Sequence, residues 1–175
     1  IDRHLAKRPA GDPANAAALP YGSIYNYPVT PLPGFKDMAA YFNIDNGGGK
    51  LRGIHAEGNF AAVPVLKEWL APFGSLGATA VVARPTGGTD HVGMARLGLP
   101  AFQFIQDPLD YGSTVHHSSV DTYDHLRPQD LRQAAVVLAS VLLEAANSDK
   151  VIPRNVLPTE PGDTNPFRYE NPNDN

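Results

Sequence analysis

The apolar positions of this chain fall into two kinds of pattern. Three short uninterrupted runs, Met38 to Ile44, Ala78 to Arg84 (ATAVVAR) and Ala101 to Ile105 (AFQFI), read as strands buried on both faces, and Lys50 to Ala56 reads as a further strand. Between them the spacing changes to a helical one. Over Ala61 to Ala71 a stripe forms from Val63, Leu66, Trp69 and Leu70, with Pro64 tolerable in the first turn and Pro72 stopping the helix. Asp90 to Leu97 reads as a short helix. The longest helix is predicted over Pro128 to Asn147, where Leu131, Ala135, Leu138, Leu142 and Ala145 share one face and Pro128 and Asp130 suit the first turn. Strands alternating with helices predict an α/β fold: a mostly parallel sheet with helices on both faces.

Breakers divide the chain. Prolines 9, 13, 20, 28, 31 and 33, with Tyr21, Tyr25 and Tyr27 among them, mark residues 9–35 as a long irregular connection. Residues 153–175 are rich in Pro, Asn and Asp with few aliphatics, which predicts an extended or disordered tail. The expected organisation is an N-terminal segment and loop (1–35), a compact body (36–150) and a tail (151–175).

Composition narrows the function. With 175 residues and 42% hydrophobic content the chain can bury a core. A net charge of -4 without any local Lys/Arg cluster lacks the basic footprint that nucleic acid requires. The longest greasy stretch, Ala134 to Ala146, is broken by Ser140 and Glu144, so no membrane span is expected. There is no cysteine, hence no disulfide, thiolate nucleophile or thiolate-held zinc. The sequence starts at Ile1 without Met or a signal-peptide core, which reads as a processing site or a cut in a longer protein.

In α/β sheets ligands gather beyond the carboxyl ends of strands. Applied here, that rule selects Asp45 after the first strand, Asp90 and His91 after the strand at 78–84, and His116 and His117 after the strand at 101–105. Carboxylate plus imidazole without sulfur suits zinc, or less selectively manganese or cobalt. Each residue also has a plain alternative: Asp45 as a cap on the Asn-Gly turn, Asp90 as a helix N-cap, and His116 and His117 as loop histidines. His55 and His125 read as half-exposed structural residues, and His4 lies near the chain end. Nucleophilic chemistry is poorly supported, because no G-x-S-x-G elbow occurs and a triad of Ser118, His117 and Asp121 would need one loop to build a geometry normally drawn from separate elements. No dinucleotide-binding glycine motif or P-loop is present either.

Three segments, "YFNIDNGGG" ending on the Asp45 turn, "TGGTDHVGM" around Asp90 and His91, and "HHSSVDTYDHL" around His117 and Asp121, stand in the order found in the second half of the co-catalytic dizinc exopeptidases. From about Tyr41 to Asn147 the chain thereby resembles metallopeptidase family twenty-eight, which includes bacterial leucyl aminopeptidases and plasma glutamate carboxypeptidase. The resemblance implies the carboxyl-terminal portion of a three-layer α/β/α sandwich and two zinc ions per complete site, with Asp45 on one zinc and His117 on the other. It implies pocket or supporting roles for Asp90, His91 and Asp121, and His116 as a neighbour. Tyr21, Tyr25 and Tyr27 become candidates for a loop contacting substrate.

Similar enzymes also carry a His-x-Asp motif, a bridging aspartate and a Glu-Glu pair that supplies the general base. This chain has five glutamates, none adjacent, and no histidine with Asp two residues later. The resemblance therefore implies a parent exopeptidase acting on a peptide or dipeptide, with an amino-terminal half of the catalytic domain as this chain's partner. The isolated chain is expected to be inactive. Rival readings are a peptidase-like binding or receptor domain, a single-zinc cyclase on the same scaffold, and an unrelated metal-free α/β module. Similar enzymes are commonly secreted or periplasmic.

Overall fold

The helix predicted over the last part of the body forms over those residues (α4, Pro128–Asn147). The computed structural model describes residues 3–7 and 29–157, so the tyrosine-rich stretch with Tyr21, Tyr25 and Tyr27 and most of the tail lie outside the described residues. In chain order the remaining elements are β1 (Ala6–Lys7), β2 (Thr30–Pro31), α1 (Pro33–Asp37), β3 (Tyr41–Asn43), β4 (Leu51–His55), α2 (Val63–Leu70), β5 (Ala80–Val82), α3 (Val92–Ala95) and β6 (Ala101–Gln106). 3₁₀ segments flank α2, a single turn at Phe60–Ala62 and a longer one kinked at Phe73 over Ala71–Leu76. Among the described residues no helix is long and apolar enough to cross a membrane.

The main sheet has the order β3-β6-β4-β5. Its outer pairings, β3 with β6 and β4 with β5, are parallel, but the central pairing of β4 with β6 is antiparallel. The sheet is mixed, with two of its three pairings parallel as expected, and the antiparallel one separates the strand ends: the carboxyl ends of β3 and β6 emerge at one edge, those of β4 and β5 at the other. Buried runs alone cannot tell these cases apart, because a strand covered on both faces reads as continuously apolar in either direction.

Two residues of β4, Arg52 and Gly53, occupy a register shift against β6, where Leu51 faces Gln106 and Gly53 faces Ile105. Such a bulge turns the strand, so that Leu51 and Ile54, three apart, both reach the same core. Gly53 makes the turn sterically possible: a Cβ there would lie 1.8 Å from the Ala80 carbonyl oxygen on β5. The core on this face joins Phe102 and Phe104 of β6 to Leu66, Trp69 and Leu70 of α2 and to Val137 and Val141 of α4.

The buried face of α4 differs from the predicted one. Asp130, Gln133, Ala134, Val137 and Val141 point inward, while Leu131 and Leu142 are each 46% exposed and Leu138 and Ala145 lie at the margin of the core. The helix carries apolar residues around much of its circumference, and periodicity favoured the longer side chains. Packing chose the smaller ones, and one polar residue settles the rotation: Gln133 Oε1 accepts the Leu51 N–H at 2.9 Å and its Nε2 donates to the Leu51 carbonyl at 2.8 Å. Before the start of β5, Gln133 thus serves as a strand partner for the first residue of β4.

Residues 29–35, expected within an irregular connection, form β2 and the start of α1 instead. Pro33 suits the first turn of α1, where a missing donor costs nothing. β2 pairs antiparallel with β1, and beside them Ala6, Val29, Leu97 and Leu99 make a second small core. The start of the tail is ordered by contacts: Ile152 is buried, Asn155 N–H donates to the Gly98 carbonyl, and Arg154 donates to the carbonyls of Phe35, Lys36 and Met38 at the end of α1.

Candidate functional site

Asp45 follows β3 by two residues and begins the turn that leads into β4. The turn is tied to the end of β6: Asn46 N–H donates to Gln106 Oε1, Gln106 Nε2 donates to the Gly47 carbonyl, and Gly49 N–H donates to the Asp107 carbonyl. A Cβ on Gly49 would fall 2.7 Å from both Asp107 Cβ and the Asp107 carbonyl oxygen, so the glycine is required by close approach. The result is an exposed carboxylate on a fixed base.

The alternation of β3 and β6 puts Phe42, Phe102 and Phe104 on the core side and Asn43 and Gln103 on the other. Both polar residues are buried, and Asn43 Nδ2 donates to Gln103 Oε1 at 2.7 Å and to Thr89 Oγ1 at 2.8 Å. Thr89 in turn donates its hydroxyl to Asp45 Oδ2 at 2.5 Å. A chain of charge-assisted and neutral hydrogen bonds, Gln103–Asn43–Thr89–Asp45, therefore orients the carboxylate from beneath.

Thr89 comes from the segment after β5, which ends at the opposite edge of the sheet from β3 and β6. The strand-end rule named Asp90 and His91 in this segment, but proximity to Asp45 arises because residues 83–91 turn back over the face that carries Asn43 and Gln103. Within that segment Thr89 is buried against Asp45, Asp90 is exposed, and His91 is fully buried. His91 Nε2 lies 3.1 Å from Glu57 Oε1 and 3.2 Å from Thr86 Oγ1.

After β6 the chain forms a π-helical turn, Tyr111–Val115, closed by the His116 N–H donating to the Tyr111 carbonyl. Such turns recur at functional sites. The Tyr111 ring lies 4.6 Å from that of His116, which lies 3.9 Å from that of His117. His117 has φ 55°, a strained left-handed conformation for this residue type, and is exposed. Burial pushes the Tyr111 phenol above its ordinary range, and the charges of Asp45 and Asp121 push it further, so Tyr111 stands within electrostatic reach of both carboxylates. Asp121 is exposed and its N–H donates to the Ser118 carbonyl.

The structure thus brings Tyr111, His116 and His117 into ring contact after β6, with the charges of Asp45 and Asp121 acting on Tyr111, and sends His91 inward. Among the described residues no group of three or more His, Asp or Glu side chains converges to hold a metal ion. Asp45 and His117 have the right donor chemistry for zinc, one carboxylate oxygen and one imidazole nitrogen, but they make up only part of a four-donor set. His55 sits apart, its pKa lowered chiefly by burial, and His125 Nδ1 lies 3.2 Å from Asp110 Oδ2 at the surface. Asn43, Thr89, Gln103, Glu57 and Tyr111 were not singled out from sequence. A signal existed for two of them, since Asn43 and Gln103 are polar residues inside otherwise apolar strands and such groups must find partners.

No family model and no curated protein matches the chain. Among solved structures it is similar to the "Peptidase M28 precursor" of Shewanella amazonensis, with 28% identity over 69% of this chain and a TM-score of 0.56. An aminopeptidase from Aneurinibacillus sp. strain AM-1 aligns over 84% of this chain at 22% identity, with a TM-score of 0.48. The chain spans 27% of the length of the Shewanella protein and 31% of that of the aminopeptidase. The fold resembles that of a family twenty-eight peptidase, in line with the resemblance read from the three motifs.

Proposed function

We propose that this chain is the carboxyl-terminal part of the catalytic domain of a zinc-dependent exopeptidase, with the sheet forming part of a three-layer α/β/α sandwich. In this reading Asp45 holds one zinc and His117 the other, while the further ligands, the bridging aspartate and the general-base glutamate come from the amino-terminal half. The observation that supports it is the Asn43–Thr89–Asp45 relay, which orients an exposed carboxylate at the end of β3 as a metal-ligating carboxylate is normally oriented by its hydrogen bonds. When bound, the metal pair supplies electrophilic activation of a scissile carbonyl and an acidified water. This chain's own residues contribute ligand orientation through Thr89, with the Tyr111 phenol within electrostatic reach of the same carboxylate.

Zinc titration of the 175-residue chain, followed by amide NMR, tests the reading. Perturbations centred on Asp45 and His117, each abolished in its own region by Asp45→Ala or His117→Ala, are expected. Release of amino acids from peptides by the chain alone is not. Metal-induced shifts located elsewhere would overturn the assignment, and turnover by the isolated chain would overturn its incompleteness. In the full-length parent, two zinc ions per molecule are expected; one would favour the cyclase reading.

A further inference from the structure

Glu57 is a buried acid that the metal reading leaves unused. It follows β4 by two residues, at the sheet edge opposite Asp45, and adopts φ 53°, a conformation that costs a non-glycine residue about 1 kcal/mol. Its side chain is 3% exposed. A carboxylate in that setting must be compensated, and here three donors converge on it. Oε2 accepts the Thr86 N–H at 2.8 Å, Oε1 accepts the Thr86 hydroxyl at 2.8 Å, and His91 Nε2 lies 3.1 Å from Oε1. The Nδ1 of His91 is buried without a partner among the described residues, so a proton there would be an orphaned donor. The ring proton therefore belongs on Nε2, facing Glu57.

Thr86 and His91 are the two ends of a short loop whose centre is Gly87-Gly88-Thr89. A Cβ added at Gly87 or Gly88 would meet nothing within 4 Å, so packing does not restrain the two glycines, and glycine has the greatest conformational freedom to lose. What restrains the loop is its ends on Glu57 and Thr89 on Asn43 and Asp45.

We infer that Glu57 is a positioning residue for Asp45: by clamping Thr86 and His91 from the far edge of the sheet it holds the Thr89 hydroxyl on Asp45 Oδ2 and so fixes the orientation of that carboxylate. The consequence for metal binding rests on the proposed function; the clamp itself does not.

The experiment uses the full 175-residue chain in four variants, Glu57→Gln, Thr86→Ala, Thr89→Val and the double variant of Glu57→Gln with Thr89→Val, with far-UV circular dichroism to confirm the fold. Three-bond couplings report the Thr89 side-chain rotamer: a single rotamer is expected in the parent sequence and rotamer averaging in Glu57→Gln and Thr86→Ala. Zinc titration supplies a second readout. Glu57→Gln is expected to weaken zinc binding about tenfold, as supporting residues of metal ligands do, and to add nothing when Thr89 is already Val. A Thr89 rotamer unchanged in both Glu57→Gln and Thr86→Ala overturns the inference, and so do losses that multiply in the double variant, because a merely structural residue would act independently of Thr89. Should Glu57→Gln fail to fold, Thr86→Ala decides, since it removes one of the clamp's bonds and leaves the backbone donor in place. Rotamer averaging in a chain that binds no zinc would retain the clamp, because Asp45 supplies one donor of a four-donor set and the clamp is read from the Thr89 rotamer alone.

Discussion

Replacing Gln133 by Met isolates the bond between α4 and the sheet. Methionine keeps the length and volume of glutamine but can neither donate to nor accept from a backbone. Leu51 is fully buried, and both its N–H and its carbonyl are served by Gln133, at 2.9 and 2.8 Å. Each buried backbone group left without a partner costs about 1–3 kcal/mol. Two such groups give about 2–6 kcal/mol, and adjustment of the helix brings the expectation to about 2–4 kcal/mol. For a domain of this size that lowers Tm by roughly 6–12 °C. Trp69, 5% exposed in the same core, provides a fluorescence probe for urea unfolding, with far-UV circular dichroism as the second. The midpoint should fall with the slope unchanged. A Gln133→Met protein within about 0.5 kcal/mol of the parent would refute the reasoning, for it would mean that Gln133 is not what pairs the start of β4.

Further outcomes follow from single contacts. Gly53→Ala places a methyl 1.8 Å from the Ala80 carbonyl, so it should separate β5 from β4 and remove about 3 kcal/mol or more, seen as a thermal melt that is broad or lost. Asp107 is held below its ordinary pKa first by its hydrogen bond to Arg52, at 2.8 Å from Arg52 Nε. Its stabilisation is therefore complete above about pH 4 and is lost as pH falls through the lower folded value. Because Arg52 and Asp107 are 41% and 34% exposed, the effect should stay under about 1 kcal/mol, and Asp107→Asn should flatten the acid limb of a stability-against-pH curve by that amount. His55 is also lowered, here by burial, below its ordinary 6.5. The unfolded chain then binds the proton more readily, so this residue makes stability rise with pH through the window below 6.5, and its ring signal in NMR should titrate below that value.

What the sequence made legible depended on whether a pattern had one physical cause. Pro128 at the start and the uninterrupted run to Asn147 have a single reading, and α4 spans those residues. Its rotation was not legible, because Leu131 and Val137 are equally apolar and only the Gln133 bonds to Leu51 distinguish the faces. The direction of β4 was hidden because the pattern along a strand reports which face each residue takes and not which way the strand runs. At the candidate site, Asp45 and His117 were reached by type and position after strands. The supporting Thr89 was passed over in favour of Asp90, its neighbour, because a one-residue difference in which side chain points inward is set by the loop's return across the sheet and not by any local preference. Glu57 was invisible as a partner of His91, 34 residues further on, because only the fold brings them together.

Arg154 donates to three carbonyls, those of Phe35, Lys36 and Met38, and its guanidinium lies 5.4 Å from the Phe35 ring centroid. In synthesis the partners appear far apart in time: α1 leaves the ribosome more than a hundred residues before the side chain that closes its carboxyl end. During that interval the orphaned carbonyls of α1 must be satisfied by water, and a five-residue helix is too short to persist on its own. The segment made early is thus completed late, and a chain stopped before Arg154 would display α1 unlatched, a state that limited proteolysis distinguishes from the finished fold by cleavage between residues 33 and 38.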